Sequence, residues 1–344
     1  MLRTAVVIYN LGGPDKLESV EPFLFNLFND PSILRQKALI RWCLAKLISK
    51  RRAPVAKKIY AKIGGQSPIL EETQKQASAL ENALKDDKGT EYRVFVAMRY
   101  WHPFIEECLN RVEEFAPNNI ILLPLYPQFS TTTTGSFLRA WREVIGKKKL
   151  DIPTTKICCY PREKNFIETT AKAVQTEIVK SSTPLTNLKI LFSAHGIPKK
   201  FVKDGDPYKT HVNQTVTGIV DELAIPNLDY ITCYQSRVGP VEWLKPYTDK
   251  VILESAHEKK TIMVVPVAFV SEHSETLVEL DIEYRELALR NGASEYIRIP
   301  TVGTKIEFIR GLVEMVKEAG NQTGKHINIG GKLCESSCAA CPLL

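Results

Sequence analysis

IMVVPVAFVSEHSETLVELDIEY, residues 262–284, reads as a buried strand that feeds an acidic helix, and the rest of the chain is read outward from it. Ile262–Val267 is an apolar run with the length and β-branched richness of a strand inside a parallel sheet. Ser271 stands where it could cap a helix beginning near Glu272. On that helix Glu275, Glu279 and Glu283 recur every four residues and share one face, with Glu272 one turn before them. Like charges at this spacing destabilise a helix by about 0.2–0.5 kcal/mol per pair. No Lys or Arg follows within the row before Arg285, whereas a merely solvated face usually intersperses counter-charges. An acidic ladder at the carboxyl end of a buried strand predicts a place for a cation; the plain alternative is an acidic surface helix.

A chain of 344 residues can bury a sizeable core and is expected to divide into two domains. At 44% hydrophobic and 25% charged residues, extended disorder is excluded. MLRTAVVIYNLGGP at the start reads as a strand and a turn, too short in its apolar run for a signal peptide. Nowhere do 18 uninterrupted apolar residues occur, so no membrane span is expected. Eight irregularly spaced cysteines without an export signal point to thiols or metal ligands in a reducing compartment, hence the cytoplasm.

The net charge of +7 is unevenly placed. Pro31 to Leu70 contains ten Lys and Arg and no Asp or Glu, so the remainder is net negative. Within it, ILRQKALIRWCLAKLISKRR mixes bulky apolar residues with bases, as would suit an anionic membrane surface or an anionic, apolar ligand. A lip over Phe23–Ile48, peripheral at an inner membrane, is one expectation. No helix-turn-helix, zinc-finger or RNP signature supports nucleic-acid binding.

Strand-like runs at 5–11, 93–98, 120–125, 154–160, 188–194, 230–233, 262–267 and 296–299 alternate with helical patterns at 70–85, 104–115, 136–145, 166–180, 210–223, 272–289 and 305–317. That alternation predicts an α/β fold of parallel sheets flanked by helices. Two halves are expected, 1–150 with the lip at about 23–62 and 151–320, followed by a cysteine-rich tail, 321–344. IILLPLYPQFS (120–130) echoes IMVVPVAFVSE (262–272), and VVIYNLGGP (6–14) echoes ILFSAHGIP (190–198). Internal duplication and shared strand-turn grammar both account for the echoes. Two such halves imply a ligand cleft between their strand ends. His195 ends one apolar run at that carboxyl edge, with Gly196 permitting an unusual turn.

YNLGGPD (9–15), KRRAPVAKKIYAKIGGQSPI (50–69), MRYWHP (98–103), LYPQFSTTTTGS (125–136), FSAHGIP (192–198), YQSRVGPVEWLKP (234–246) and VAFVSEHSETLVELDIEY (267–284) resemble, in order, the ferrochelatase family. The resemblance implies two Rossmann-like halves, a porphyrin cleft between them, and ATP-independent insertion of Fe²⁺ into protoporphyrin IX to give haem b. It gives His195 the role of essential histidine and Glu275 that of partner carboxylate at the substrate iron. Glu272, Glu279 and Glu283 would belong to an acidic row for protons or metal, on a helix widened by a π-bulge. Insertion must remove two pyrrole protons, for which a near-neutral imidazole is a suitable base. Rigid apolar walls would bend the macrocycle; Leu11, Tyr60, Tyr126, Trp243 and Phe269 are the candidates, ordinary core being the alternative for each. Arg51, Arg52, Ser67 and Arg99 match polar positions of the family pattern and would meet propionates. Leu11 stands where relatives commonly carry Met or Tyr, which argues against a special role for its side chain.

The chain ends GKLCESSCAACPLL, and Cys334, Cys338 and Cys341 form C-x₃-C-x₂-C before a proline, a pattern closer to iron–sulfur ligation than to free thiols. Some family members hold a [2Fe–2S] cluster with three C-terminal cysteines and one internal one. Mammalian members place the internal cysteine where this chain has Thr131; the resemblance to some bacterial relatives implies Cys158 or Cys159, in KICCYPRE, instead, with Cys158 favoured. A Cys₄ zinc site is the rival. Cys43, Cys108 and Cys233 read as buried apolar thiols. The activity left open is coproporphyrin or another tetrapyrrole as substrate, cobalt as metal, or a non-catalytic haem or iron–sulfur sensor. Oligomeric state is also open, a homodimer included.

Overall fold

Strands buried on both faces have no solvent side to mark with alternation, so they appear in sequence as continuous apolar runs. In the computed structural model, which describes residues 1–85, 89–322, 324–329, 334 and 338–342, those runs become two parallel sheets. In chain order the elements are β1 (Leu2–Asn10), α1 (Val20–Phe28), α2 (Ala38–Ala61), α3 (Ile69–Leu84), β2 (Thr90–Met98), α4 (Ile105–Phe115), β3 (Asn119–Pro124), α5 (Thr134–Lys148) and β4 (Thr154–Cys159). They continue with α6 (Lys164–Ser181), β5 (Leu188–His195), α7 (Lys199–Lys203), α8 (Tyr208–Leu223), β6 (Tyr230–Gln235), α9 (Thr248–His257) and β7 (Thr261–Pro266). A π-helix (Glu275–Glu283) runs into α10 (Tyr284–Arg290), and β8 (Glu295–Arg298), α11 (Ile306–Gly320) and β9 (His326–Asn328) complete the order.

The chain forms two compact units, Met1–Cys159 with Leu312–Asn328, and Tyr160–Gly311 with Ile329–Pro342. The first unit therefore ends after β4 and not at residue 150, because β4 pairs with β3 through Ile120↔Thr154. Most of α11 and the short β9, which lacks an apolar run of its own, return to the same unit, where β9 pairs with β4. Of the tail 321–344, residues 323, 330–333, 335–337 and 343–344 lie outside the described residues.

The first unit's sheet runs β2-β1-β3-β4-β9. Val7 on β1 lies level with Phe95 and Leu122, and its cluster extends to Phe137 and Trp141 of α5. Tyr9 stacks on Phe137 with centroids 3.7 Å apart. Burying such a side chain contributes about 1.5–3 kcal/mol, so the strands make a stiff base for the loops at their ends. The second unit's sheet runs β6-β5-β7-β8, the same order its counterparts take in the first, which gives the echoed segments a topological counterpart.

Three expectations change. The helix after β7 does not start at Glu272 under a Ser271 cap; Ser271 is buried and the helix begins at Glu275 as a nine-residue π-helix. Phe23 and Leu24, placed in the lip, instead pack in a core cluster with Tyr60 and Tyr100, because α1 turns them inward. Cys43 is exposed on α2, beside Trp42 and Leu44, whereas Cys108 and Cys233 are buried as expected.

Candidate active site

In the second unit the carboxyl ends of three strands carry the candidate side chains. His195 closes β5, Gln235 closes β6 with Ser236 next, and Phe269 follows β7. His195 Nδ1 lies 2.8 Å from Glu275 Oε2. The carboxylate accepts there, so Nδ1 carries the proton of a neutral ring and Nε2 keeps its lone pair. Burial would depress this imidazole, but the attraction of Glu275 outweighs it and raises the pKa above the usual histidine value. Burial would likewise raise Glu275, yet His195 and Ser236 hold it down at about 2. The Trp243 ring meets the imidazole edge-on at 6.5 Å and anchors its Nε1–H on Val238 O at 2.9 Å. A Cβ at Gly196 would stand 2.9 Å from Gln235 O and 3.3 Å from the Trp243 ring, so this turn requires glycine.

Glu279 is the second carboxylate of the row. It accepts from Ser236 N–H at 3.0 Å, from the Ser236 hydroxyl and from Tyr284 OH at 2.9 Å. Burial and the neighbouring Glu275 raise its pKa. Two adjacent carboxyls, one kept ionised and one pushed up, form the kind of pair that can separate charge stabilisation from proton carriage. Ser236 also reaches Glu275 Oε2 at 3.2 Å, from a backbone φ of 63°. That left-handed conformation costs a non-glycine residue free energy, which the bonds to both carboxylates offset. Glu283, half-buried, ends the π-helix.

Glu272 leaves the row. Lying before the π-helix, it accepts from Arg298 at 2.9 Å and from Thr301 N–H at 2.9 Å, and its pKa is lowered against the cost of burial. The counter-charge missing from the local sequence comes from β8. Ser236 and Arg298 escape a sequence reading because their partners lie about 40 and 26 positions away. His273 also escapes it: its ring sits 4.4 Å from Phe269 and its buried Nδ1 finds no hydrogen-bond partner among the described residues.

In the first unit, Leu11, Arg99 and Tyr126 follow β1, β2 and β3, again at carboxyl ends. Leu11 and Tyr60 belong to one apolar cluster with Phe28 and Trp101. Tyr126 packs edge-on to Tyr9 at 6.4 Å. Ser67 donates its N–H to Pro14 O at 2.8 Å, and its side chain lies so close to Gly13 that any Cβ there would stand 2.5 Å away. Arg51 and Arg52 are exposed on α2, Arg52 lying 6.0 Å over the Phe28 ring. Arg99 is not a free cation: it donates to Ser136 Oγ at 2.8 Å and to Asp30 Oδ2 at 2.8 Å. Asp30, unremarkable in sequence, also accepts from Arg139 at 2.5 Å, Tyr100 OH at 2.8 Å, Ser32 N–H at 2.7 Å and the Ser136 hydroxyl.

Cys158 and Cys159 end β4, buried, with sulfurs 3.5 Å apart. In the second unit Cys334, Cys338 and Cys341 form a buried cluster of their own. His211 of α8 places Nε2 3.2 Å from the Cys334 sulfur, and burial lowers its pKa to about 4. Among the described residues no group of three or more His, Cys, Asp or Glu is already arranged as a metal site.

A family model described as ferrochelatase matches residues 3–320. The ferrochelatase of Pelagibacter ubique is 49% identical over 345 residues, covering 100% of this chain and 99% of its own. That of Caulobacter vibrioides (strain NA1000 / CB15N) is 48% identical over 342 residues, covering 99% and 97%. That of Rickettsia bellii (strain OSU 85-389) is 45% identical over 343 residues, covering 98% and 94%. Among solved structures, SirB from Bacillus subtilis with Fe3+ aligns with a TM-score of 0.53 at 15% identity, covering 93% of this chain and 96% of its own. At that identity the likeness concerns the fold, a chelatase fold.

Proposed function

We infer, from the fact that the chain belongs to the ferrochelatase family, that it inserts Fe²⁺ into protoporphyrin IX, giving haem b and releasing two protons. The observation that carries the chemistry is the 2.8 Å pair of His195 and Glu275 at the end of a buried strand. Both pyrrole N–H protons must leave as iron reaches the four nitrogens. Neutral His195 takes a proton on Nε2. Glu275, ionised, stabilises the imidazolium that forms, and Glu279, with its raised pKa, is suited to carry the proton onward. Glu283 continues that row. Leu11, Tyr60, Tyr126, Trp243 and Phe269 serve as apolar walls for the macrocycle, and Arg51, Arg52 and Ser67 as partners of its carboxylate arms, with Arg99 adding only what its bonds to Asp30 and Ser136 leave exposed. Anaerobic incubation with Fe²⁺ and either protoporphyrin or coproporphyrin, following loss of the free-base spectrum, tests the reading. Faster loss with coproporphyrin would reassign the substrate, and no loss with either would favour a non-catalytic binder.

Because Glu275 is what raises His195, Glu275→Gln should lower the histidine pKa. The base form is the deprotonated one, so activity falls on the acid side as His195 gains its proton. In the variant that acid limb should move to lower pH, on top of a reduced maximum. A limb that stays put in a full pH–rate profile would detach Glu275 from the base.

For the surface, we propose peripheral contact of α2 with an anionic membrane. Leu39, Ile40, Trp42 and Leu47 are exposed on it, and Lys46 lies 5.1 Å over the Trp42 ring. No helix among the described residues is long and apolar enough to cross a membrane. The protein should sediment with anionic vesicles and detach as salt rises; equal recovery on neutral vesicles would count against this.

We propose further that the tail holds a [2Fe–2S] cluster on Cys334, Cys338 and Cys341, with Cys158 as fourth ligand and Cys159 as its alternate. Support comes from three buried thiols gathered in one cluster, the soft donors that iron–sulfur centres take. When bound, the cluster supplies a redox-active centre; the cysteines pin a tail otherwise short of apolar surface. Each of Cys158→Ser, Cys334→Ser, Cys338→Ser and Cys341→Ser should bleach the visible absorption and lower the Tm. Zinc without acid-labile sulfide in the purified protein would sink the assignment, and an intact cluster in Cys158→Ser would move the ligand to Cys159.

A further inference from the structure

The first cysteine of the tail meets a side chain that the proposed reaction does not use. His211, on α8, has no exposed surface, and its Nε2 stands 3.2 Å from the Cys334 sulfur. The approach is held from both sides. One turn along α8, Thr215 donates its hydroxyl to Pro161 O at 2.8 Å and to His211 O at 3.2 Å. On the tail, Ala340 N–H donates to Gly205 O at 3.2 Å. Gly205 has a φ of +93°, and a Cβ there would stand 3.0 Å from Ala339 N, so only glycine lets the tail settle against this loop. A buried imidazole must find partners for its polar atoms or lose the free energy of their hydration, whereas an apolar side chain would fill the same volume without that cost. Nε2 of this imidazole is in contact with the Cys334 sulfur.

We propose that His211 donates its Nε2–H to the Cys334 sulfur of the bound cluster and thereby stabilises the cluster's reduced form. The proposal rests on the cluster reading above. An added electron puts more negative charge on the ligand sulfurs. A hydrogen bond to one of them therefore strengthens on reduction and raises the reduction potential. Burial enhances the effect, because little solvent competes for the sulfur. His211 is on this account a positioning and tuning residue, not a ligand.

Full-length protein purified anaerobically, with His211→Phe, His211→Gln and His211→Asn, tests this by visible absorption, EPR of the reduced state and redox titration. Wild type should carry the cluster. His211→Phe should keep it and lose about tenfold in preference for the reduced state, a fall of about 59 mV for one electron. His211→Gln, which can still present an N–H at similar reach, should stay near wild type, and the shorter His211→Asn should fall towards Phe. If His211→Phe does not fold, the Gln and Asn pair decides. Unchanged potentials in all variants would overturn the donor role. So would nitrogen hyperfine coupling in wild type that disappears with His211, since that would make the residue a ligand. Wild type without acid-labile sulfide would instead refute the cluster reading, before any variant is examined.

Discussion

His195→Ala should bind porphyrin about as well as wild type and insert iron some 10²–10⁴ times more slowly, the range in which a positioned general base contributes. The side chain is 38% exposed, so its removal opens no core cavity and the variant should stay folded. What disappears is the one imidazole paired with a carboxylate held ionised at about 2. Removing His195 also removes what holds Glu275 down, so burial should raise that carboxyl and it no longer serves as the charge that stabilises an imidazolium. Glu279→Gln should be milder, because Ser236 and Tyr284 already share its charge. Porphyrin affinity from fluorescence quenching and turnover from loss of the free-base absorbance separate the two effects. Near-normal turnover in His195→Ala would remove His195 from the mechanism.

Much of this site is legible because its signals are local. An apolar run, a histidine at its end and a four-residue acidic spacing each lie within one short stretch, and they locate β5, β7, His195 and Glu275. The boundary at Glu275 is less legible. Whether Glu272 joins the helix depends on Arg298, which lies in β8 and competes for the carboxylate with two guanidinium contacts. The widened helix itself came from the family resemblance and not from periodicity, since a spacing of four fits an α-helix equally well. Helix α2 failed as a pattern for another reason: its apolar residues are spread around the helix instead of facing one core, and Cys43 comes out exposed with them. Asp30 carried no signal at all, being one acid in an ordinary loop until the fold brings Arg99 and Arg139 to it.

Asp30→Ala should destabilise the first unit by about 3–5 kcal/mol, as when one member of a buried ion pair is removed. The Asp30 side chain has no exposure, and five groups donate to its two oxygens. Burial alone would push its carboxyl up, yet Arg99, Ser136, Ser32 and Tyr100 hold it below the ordinary aspartate value. Without it, two guanidiniums and a buried phenol lose their shared anionic acceptor and keep the hydroxyls of Ser136 and Ser32. Arg99 and Arg139 keep 21% and 34% exposure, so water softens the loss towards the lower end of that range. Glu143→Ala, which removes only an exposed partner of Arg139 at 4.0 Å, is the contrast and should change stability by no more than about 0.5 kcal/mol. The pH dependence gives an independent sign. A carboxyl depressed by folding contributes stability above its ordinary pKa of 3.8 and loses it as pH falls through the lower folded value. Wild type should therefore shed stability on acidification below that range, and Asp30→Ala should shed less. Urea unfolding at neutral and acidic pH measures both, and equal midpoints for wild type and Asp30→Ala at neutral pH would show that the two arginines do not need this carboxylate.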